Sequence, residues 1–223
     1  GTTIAGPRFI GQVAYGAGEL PSNGDEAVAQ KWLAVVSEKA DAALTVINDC
    51  IYGSDWSDGE LRMSLLRSPA YSADTWEDKL VVAGDRFIPR QDQGERSFRF
   101  WLNGGRAVER MESIDREALV RNEKPYVLPF SPPGAGKKAK SGVTVSGKSV
   151  QVTAFKKSEA GNDLVIRLFE PTGRARRTTL SLPAFSVRKD IRLAGFEIKT
   201  LRFNPRTKAF VETDLLERRP GNK

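Results

Sequence analysis

The chain has 223 residues, 39% hydrophobic and 28% charged, the balance of one large or two small water-soluble domains; no apolar run approaches the roughly 18 residues of a membrane span, and the start does not read as a signal peptide. With no histidine and a single cysteine, Cys50, the sequence excludes histidine-based catalysis, histidine- or cysteine-held metal and an internal disulfide, and the lone thiol suits a reducing, cytoplasmic setting. The net charge of +7 is uneven: residues 1–140 carry 18 Lys and Arg against 20 Asp and Glu, and residues 141–223 carry 17 against 8, which sets an anionic partner for the second part against the simpler reading of a solvated basic face.

In chain order, Asp25–Ala40 has a helix-forming composition, yet Trp32–Val36 within it reads equally well as a strand. Ala43–Ile47, Glu60–Leu66 and Arg96–Leu102 are strand candidates. In the last, Phe98, Phe100 and Leu102 alternate with Ser97, Arg99 and Trp101, the period of a half-buried strand. Arg106–Arg121 brings Val108, Met111, Ile114, Ala118 and Leu119 near helical spacing, predicting a short helix that ends near Asn122. Pro125–Gly147 is dense in proline and glycine and carries Lys137, Lys138 and Lys140, so it reads as an irregular connection with a boundary near residue 140.

Beyond it lie Val143–Val145, Ser149–Phe155, Leu164–Phe169, Arg177–Leu182, Ser186–Leu193, Glu197–Phe203 and Ala209–Thr213. These β-branched or aromatic segments are separated by turn signals such as Pro-Thr-Gly, Ala-Gly and Asn-Pro, which predicts a small β-sandwich. Val150, Val152 and Ala154 alternate with polar or outward positions, whereas Ile198 and Leu201 break the period and predict a bulge there.

Several constellations could carry chemistry. Asn48-Asp49-Cys50-Ile51-Tyr52-Gly53 follows an apolar strand, where polar groups form either a site or a turn whose Asn and Asp bond their own backbone. Arg67, after Leu65 and Leu66, either clamps a carboxylate or caps loop carbonyls. Pro89–Glu95 is rich in amides and carboxylates that suit sugar hydroxyls, or a hydrogen-bonded loop. Asp92 and Glu95, three residues apart, have no reason in their spacing to flank a substrate as a glycosidase pair. Trp56, Trp76 and Trp101 either stack on sugars or fill the core. Arg174, Arg176 and Arg177 with Arg188, Lys189 and Arg192 could form a basic face, but no RNP-like or helix-turn-helix pattern accompanies them, so nucleic acid is not indicated. Phosphate-binding glycine loops of the P-loop or Rossmann type are absent.

The ordered set of motifs resembles the C-terminal β-region of glycoside hydrolase family 38, the α-mannosidases, of the bacterial and cytosolic type. The matching pieces are Val46-Ile47-Asn48-Asp49-Cys50-Ile51-Tyr52-Gly53, Leu61-Arg62-Met63-Ser64-Leu65-Leu66-Arg67-Ser68-Pro69, Asp92-Gln93-Gly94-Glu95 before an aromatic strand, and Asn122 near Pro125. They continue with Val152-Thr153-Ala154-Phe155-Lys156-Lys157-Ser158, Arg167-Leu168-Phe169-Glu170-Pro171-Thr172-Gly173 and Thr213-Asp214-Leu215-Leu216-Glu217. Two departures stand out: Tyr71-Ser72-Ala73-Asp74 replaces the family's Tyr-Pro-Asp, and Arg96 stands where the family commonly has histidine after Gly-Glu.

The resemblance implies a predominantly all-β chain with one short helix. Residues 1–140 would be the C-terminal part of a galactose-mutarotase-like β-supersandwich, and residues 141–223 a small immunoglobulin-like β-sandwich. It implies a scaffold packed against an N-terminal catalytic domain outside this chain, where zinc and an aspartate nucleophile would hydrolyse α-mannosides by a retaining mechanism. No cofactor and no catalytic residue is expected here. Asn48, Asp49, Tyr52 and Arg67 are the candidates for a substrate-cleft wall, and the exposed edges of a partial supersandwich favour association with another chain, including a second copy. The alternative is a free-standing carbohydrate-binding β-sandwich that stacks sugar on Trp56 or Trp76.

Overall fold

A computed structural model describes residues 5–69, 92–129 and 141–218. The N-terminal elements are β1 (Arg8–Val13), β2 (Gly16–Glu19), β3 (Ala27–Val28), β4 (Trp32–Ser37), β5 (Ala42–Asn48), β6 (Gly53–Ser57), β7 (Glu60–Met63), β8 (Phe100–Gly105) and the helix α1 (Ala107–Asn122). The ambiguous run at Trp32 is a strand. All six residues of β4 are buried, because β4 lies in the middle of an antiparallel sheet ordered β2-β1-β4-β5-β8 that is covered on both faces. On one face Trp32, Ala34, Val36 and Ile47 pack against Ala107, Ile114 and Ala118 of α1. On the other, Phe9, Leu33, Val35 and Val46 pack against Trp56 and the small sheet β3-β6-β7. The result is three layers, with the five-stranded sheet buried on both faces between the helix and the three-stranded sheet.

The helix buries Ala107, Arg110, Ile114, Asp115 and Ala118, a stripe at helical spacing. Two of these are charged, and each is engaged. Arg110 donates to Thr45 Oγ1 at 2.8 Å and pairs with Glu117 at 2.7 Å, which fixes α1 on β5. Arg110 also holds the Glu117 carboxyl below its ordinary value. Val108, expected on the inner face, is exposed, because the buried stripe runs through the two charged side chains instead. The expected alternation in β8 also differs. Trp101 packs on the helix side while Phe98 and Leu102 are exposed, since β8 is an edge strand and begins only at Phe100.

The C-terminal elements are β9 (Thr144–Val145), β10 (Gln151–Lys157), β11 (Leu164–Phe169), β12 (Arg176–Leu182), β13 (Val187–Leu193), β14 (Ile198–Phe203) and β15 (Phe210–Thr213). They form two antiparallel sheets, β10-β11-β14-β15 and β13-β12-β9. Between them lies a core of Val150, Ile166, Leu168, Leu180, Leu182, Ile191, Leu193, Leu201 and Phe203. The seven expected strands are these seven. The bulge is displaced from expectation: β14 pairs in unbroken register with β11, whereas β10 slips between Val152 and Ala154.

Charged side chains join the two parts. Glu112 of α1 accepts from Arg176 at 2.5 Å, from Arg174 at 3.0 Å and from Ser149 at 3.2 Å. Burial pushes the Glu112 carboxyl up, but the hydrogen bonds and charges of Arg176 and Arg174, with Ser149, outweigh it and hold it below its ordinary value. Beside this link sits Asp115, whose Oδ1 accepts from Trp32 Nε1 at 2.8 Å and from Gln12 Nε2 at 3.0 Å.

Burial is the main influence on Asp115; with the neighbouring Glu170 charge it outweighs those two hydrogen bonds, and the carboxyl is pushed up to about 6 from 3.8. The folded chain therefore holds this proton more tightly than the unfolded chain does. The stability this group contributes is fully present below about pH 4 and is lost as pH rises towards 6, a swing of about 3 kcal/mol. A carboxyl NMR titration should give Asp115 a midpoint near 6, and Asp115→Asn should flatten the pH dependence of stability across that window. A midpoint near 4 would refute the assignment.

Candidate functional site

Three segments meet at one end of the five-stranded sheet: the loop after β5, the chain after β7, and the stretch leading into β8. Ser64 N donates to Gly53 O, which carries the β6–β7 pairing outward. Asp49 N donates to Arg99 O at 3.2 Å, and Asp49 Oδ2 lies 3.9 Å from Arg99 Nη1. Gln93 Nε2 donates to Ser68 Oγ at 3.3 Å, next to Arg67. Asp92 and Gly94 both have positive φ, and Asp92 is ion-paired to Arg96 on its own loop.

Each predicted wall residue has a distinct setting. Asn48 is buried; its Nδ2 donates to Gln30 O at 2.8 Å, while its Oδ1 is buried without a partner. It ties β5 to the chain entering β4. Asp49 is partly exposed beside Arg99. Tyr52 is half-exposed, and its phenol lies by Cys50, which turns the loop at φ 65°. The hydrogen bond with Cys50, then the thiol's charge, burial and Asp49, hold the Tyr52 phenol above its ordinary value. Arg67 is exposed. Asp49 and Tyr52 are thus neighbours through Cys50, and no contact joins Arg67 to them among the described residues. Arg99, which sequence reasoning passed over, is the cation of this cluster. Its signal was its place opposite the phenylalanines of the aromatic stretch before β8.

The other candidates separate. Trp56 is only 3% exposed and belongs to the core, so it offers no platform for a sugar. Trp101 is half-covered beneath the Arg121 guanidinium, 5.3 Å from its ring centre. Trp76, Pro89 to Gln91 and the lysines 137, 138 and 140 lie outside the described residues. The six basic residues do not form one face. Arg174 and Arg176 are spent on Glu112 and Lys189 caps the Phe210 ring, which leaves Arg177, its register partner Arg192 and Arg188 together on the outer side of β12 and β13.

Among the described residues no group of three or more Asp, Glu or Cys side chains could hold a metal ion, and the sequence has no histidine. A zinc held by histidine and aspartate does not fit the described residues. Leu102 of β8 and Val120 of α1 are both exposed, as are Tyr126, Val127 and Leu128 in the chain after the helix. A groove of 1120 Å³ runs between β8, α1 and the Lys148–Ser149 turn.

Comparison with known proteins is consistent along the chain. Residues 14–78 match the glycosyl hydrolases family 38 C-terminal domain, and residues 149–223 match the glycosyl hydrolases family 38 C-terminal beta sandwich domain. The first match reaches further towards the N-terminus than the motifs carry it. Alpha-mannosidase G of Dictyostelium discoideum is 27% identical over 203 residues, covering 80% of this chain and 17% of that protein. An alpha-mannosidase of Enterococcus faecalis V583 superposes on 91% of this chain and 25% of its own, with TM-score 0.70 and 19% identity. A second Enterococcus faecalis structure, a protein in glycosyl hydrolase family 38, gives TM-score 0.68 at 20% identity over the same shares. The chain therefore spans about a sixth of its curated relative and a quarter of these solved chains, and at this identity the structures speak to the fold alone. Two domain matches in family order, on a layered β-fold shared with family structures, make this chain a member of glycosyl hydrolase family 38, of which it carries the C-terminal β-domains.

Proposed function

We propose that the chain is the C-terminal β-scaffold of an α-mannosidase, with residues 1–140 completing a β-supersandwich and residues 141–223 forming its small β-sandwich. The observation that carries this reading is the ordered pair of family-38 C-terminal matches in a chain spanning a quarter of its solved relatives. The parent would hydrolyse α-mannosides in a preceding zinc-dependent domain, and this chain alone would be inactive. The exposed Leu102 and Val120, which line one groove beside β8, an edge strand among the described residues, support packing against that domain, since apolar surface beside a strand edge calls for a cover. Asn48, Asp49, Tyr52 and Arg67 are the proposed cleft-wall set. Asp49, Tyr52 and Arg67 would reach substrate, and Asn48 would hold their loop. No described helix is long and apolar enough to cross a membrane, and the single cysteine keeps the cytoplasm as the proposed setting.

In the whole enzyme, Arg67→Ala should lower kcat/KM for an α-mannoside by roughly 10- to 100-fold, the worth of one charge-assisted hydrogen bond, with the unfolding midpoint unchanged. Steady-state kinetics beside a thermal melt makes the test. An unchanged kcat/KM removes Arg67 from the wall, and a parent without α-mannosidase activity removes the reading itself.

A further inference from the structure

A second cleft lies away from the loop cluster, where the N-terminal layers meet the C-terminal sandwich. It has a volume of about 570 Å³ and is bounded by the β1–β2 turn, the chain entering β4, the end of α1 and the start of β10, within the roughly 300–1,000 Å³ of small-ligand sites. Tyr15 stands at its mouth. This residue is held at φ 54°, an unfavourable backbone for a non-glycine residue, and meets Phe169 edge-to-face with ring centres 5.3 Å apart. It remains 54% exposed, so the ring has area left to cover.

The polar lining is of one kind. Gln30 and Gln151 line the cleft, and among the described residues their side-chain amides have no hydrogen-bond partner. Each amide offers a donor and an acceptor. Lys31 and Glu123 form an ion pair of 2.6 Å in the same wall. The pair is neutral as a whole, so an anion would face Glu123 and a cation would face Lys31. A pyranose ring suits this wall: its C–H face needs a flat apolar surface, and its hydroxyls both give and accept hydrogen bonds.

We propose that the cleft between the two parts is a binding site for a neutral saccharide, with the Tyr15 ring as the apolar platform and Gln30, Gln151 and the Lys31–Glu123 pair as hydroxyl partners. The choice of α-mannosides as first probes rests on the mannosidase reading; the site itself does not. Because both parts supply walls, an occupied cleft holds them together across the junction.

The test is titration of the 223-residue chain with α-1,2-, α-1,3- and α-1,6-mannobiose, and separately with chitobiose and maltose, followed by amide chemical shifts. Saturable shifts should cluster at Tyr15–Gly16, Gln30–Lys31 and Gln151–Thr153. Tyr15→Gly, which removes the ring at a backbone angle glycine adopts freely, should weaken binding at least tenfold. Gln30→Ala should weaken it several-fold and leaves intact the main-chain bonds of residue 30, so it reports even where the Tyr15 variant fails to fold. No saturable shift with any of these sugars overturns the proposal, as do shifts confined to the Asp49–Tyr52 end or binding untouched by both variants. Binding of chitobiose or maltose alone at these amides upholds the cleft and counts against α-mannoside as its ligand. Loss of mannosidase activity in the parent bears on neither result.

Discussion

Trp32→Ala should destabilise the fold by roughly 3–5 kcal/mol, read as a fall in the denaturation midpoint at unchanged slope. Trp32 is fully buried in β4 and packs among Ala34, Ile47, Ile114 and Ala118, so its removal opens a cavity between sheet and helix. Its indole also donates to Asp115 Oδ1 at 2.8 Å, and truncation strips a buried carboxylate of one of its two donors. Trp32→Phe separates these effects. It keeps most of the apolar volume and removes the donor, which should cost about 1–3 kcal/mol. That hydrogen bond pulls the Asp115 carboxyl down against burial, so its loss pushes the carboxyl further up. The penalty of Trp32→Phe should therefore be larger at pH 7 than at pH 4, where Asp115 is protonated in both proteins. A pH-independent penalty would show that the indole acts through packing alone.

The C-terminal sandwich was the more legible part of the sequence, and its edges show why. Leu164–Phe169 occupies the predicted span, and the other six strands lie within two residues of theirs, because alternating apolar residues are punctuated there by Pro-Thr-Gly, Ala-Gly and Asn-Pro turns. The N-terminal layers were harder. β1, β2 and β6 escaped notice since they carry Gly11, Gly16, Gly18 and Gly53, poor strand formers by composition. Gly11 is there for space: a Cβ would sit 2.7 Å from Leu20 Cδ1. β4 is apolar on both faces, which removes the alternation that tells a strand from a helix. The inner stripe of α1 includes Arg110 and Asp115, which any apolar pattern assigns to solvent. For the loop cluster, the sequence run from Asn48 to Tyr52 brings Asp49 and Tyr52 together by proximity, but Arg99 reaches Asp49 only through the β5–β8 pairing. The junction cleft was not legible at all, because residues 15, 30, 123 and 151 become neighbours only once both parts have folded.

Glu170→Ala should be as damaging as the loss of Trp32, roughly 3–5 kcal/mol, through buried polar contacts rather than lost apolar volume. Its carboxylate is fully buried and accepts from Thr172 N, Arg174 N and Phe196 N at 3.1, 3.1 and 3.3 Å, and from the Thr172 hydroxyl. Arg176 Nε lies 3.6 Å away as its counter-charge. The turn after β11 and the turn before β14 are drawn to this one group, closely enough that a Cβ on Gly195 would lie 2.3 Å from Gly173 O. Alanine would leave three backbone N–H groups without acceptors and Arg176 without its buried partner. Glu170→Gln keeps the shape but presents an N–H₂ to those donors, so it should recover only part of the loss. The same variant carries a second readout across the junction. The Glu170 charge raises the Asp115 carboxyl, so Glu170→Gln should lower its NMR midpoint below about 6, and a double-mutant cycle with Asp115→Asn should give a nonzero coupling. A midpoint that stays put would separate the two carboxylates electrostatically and leave Glu170 as the organiser of its own turns alone.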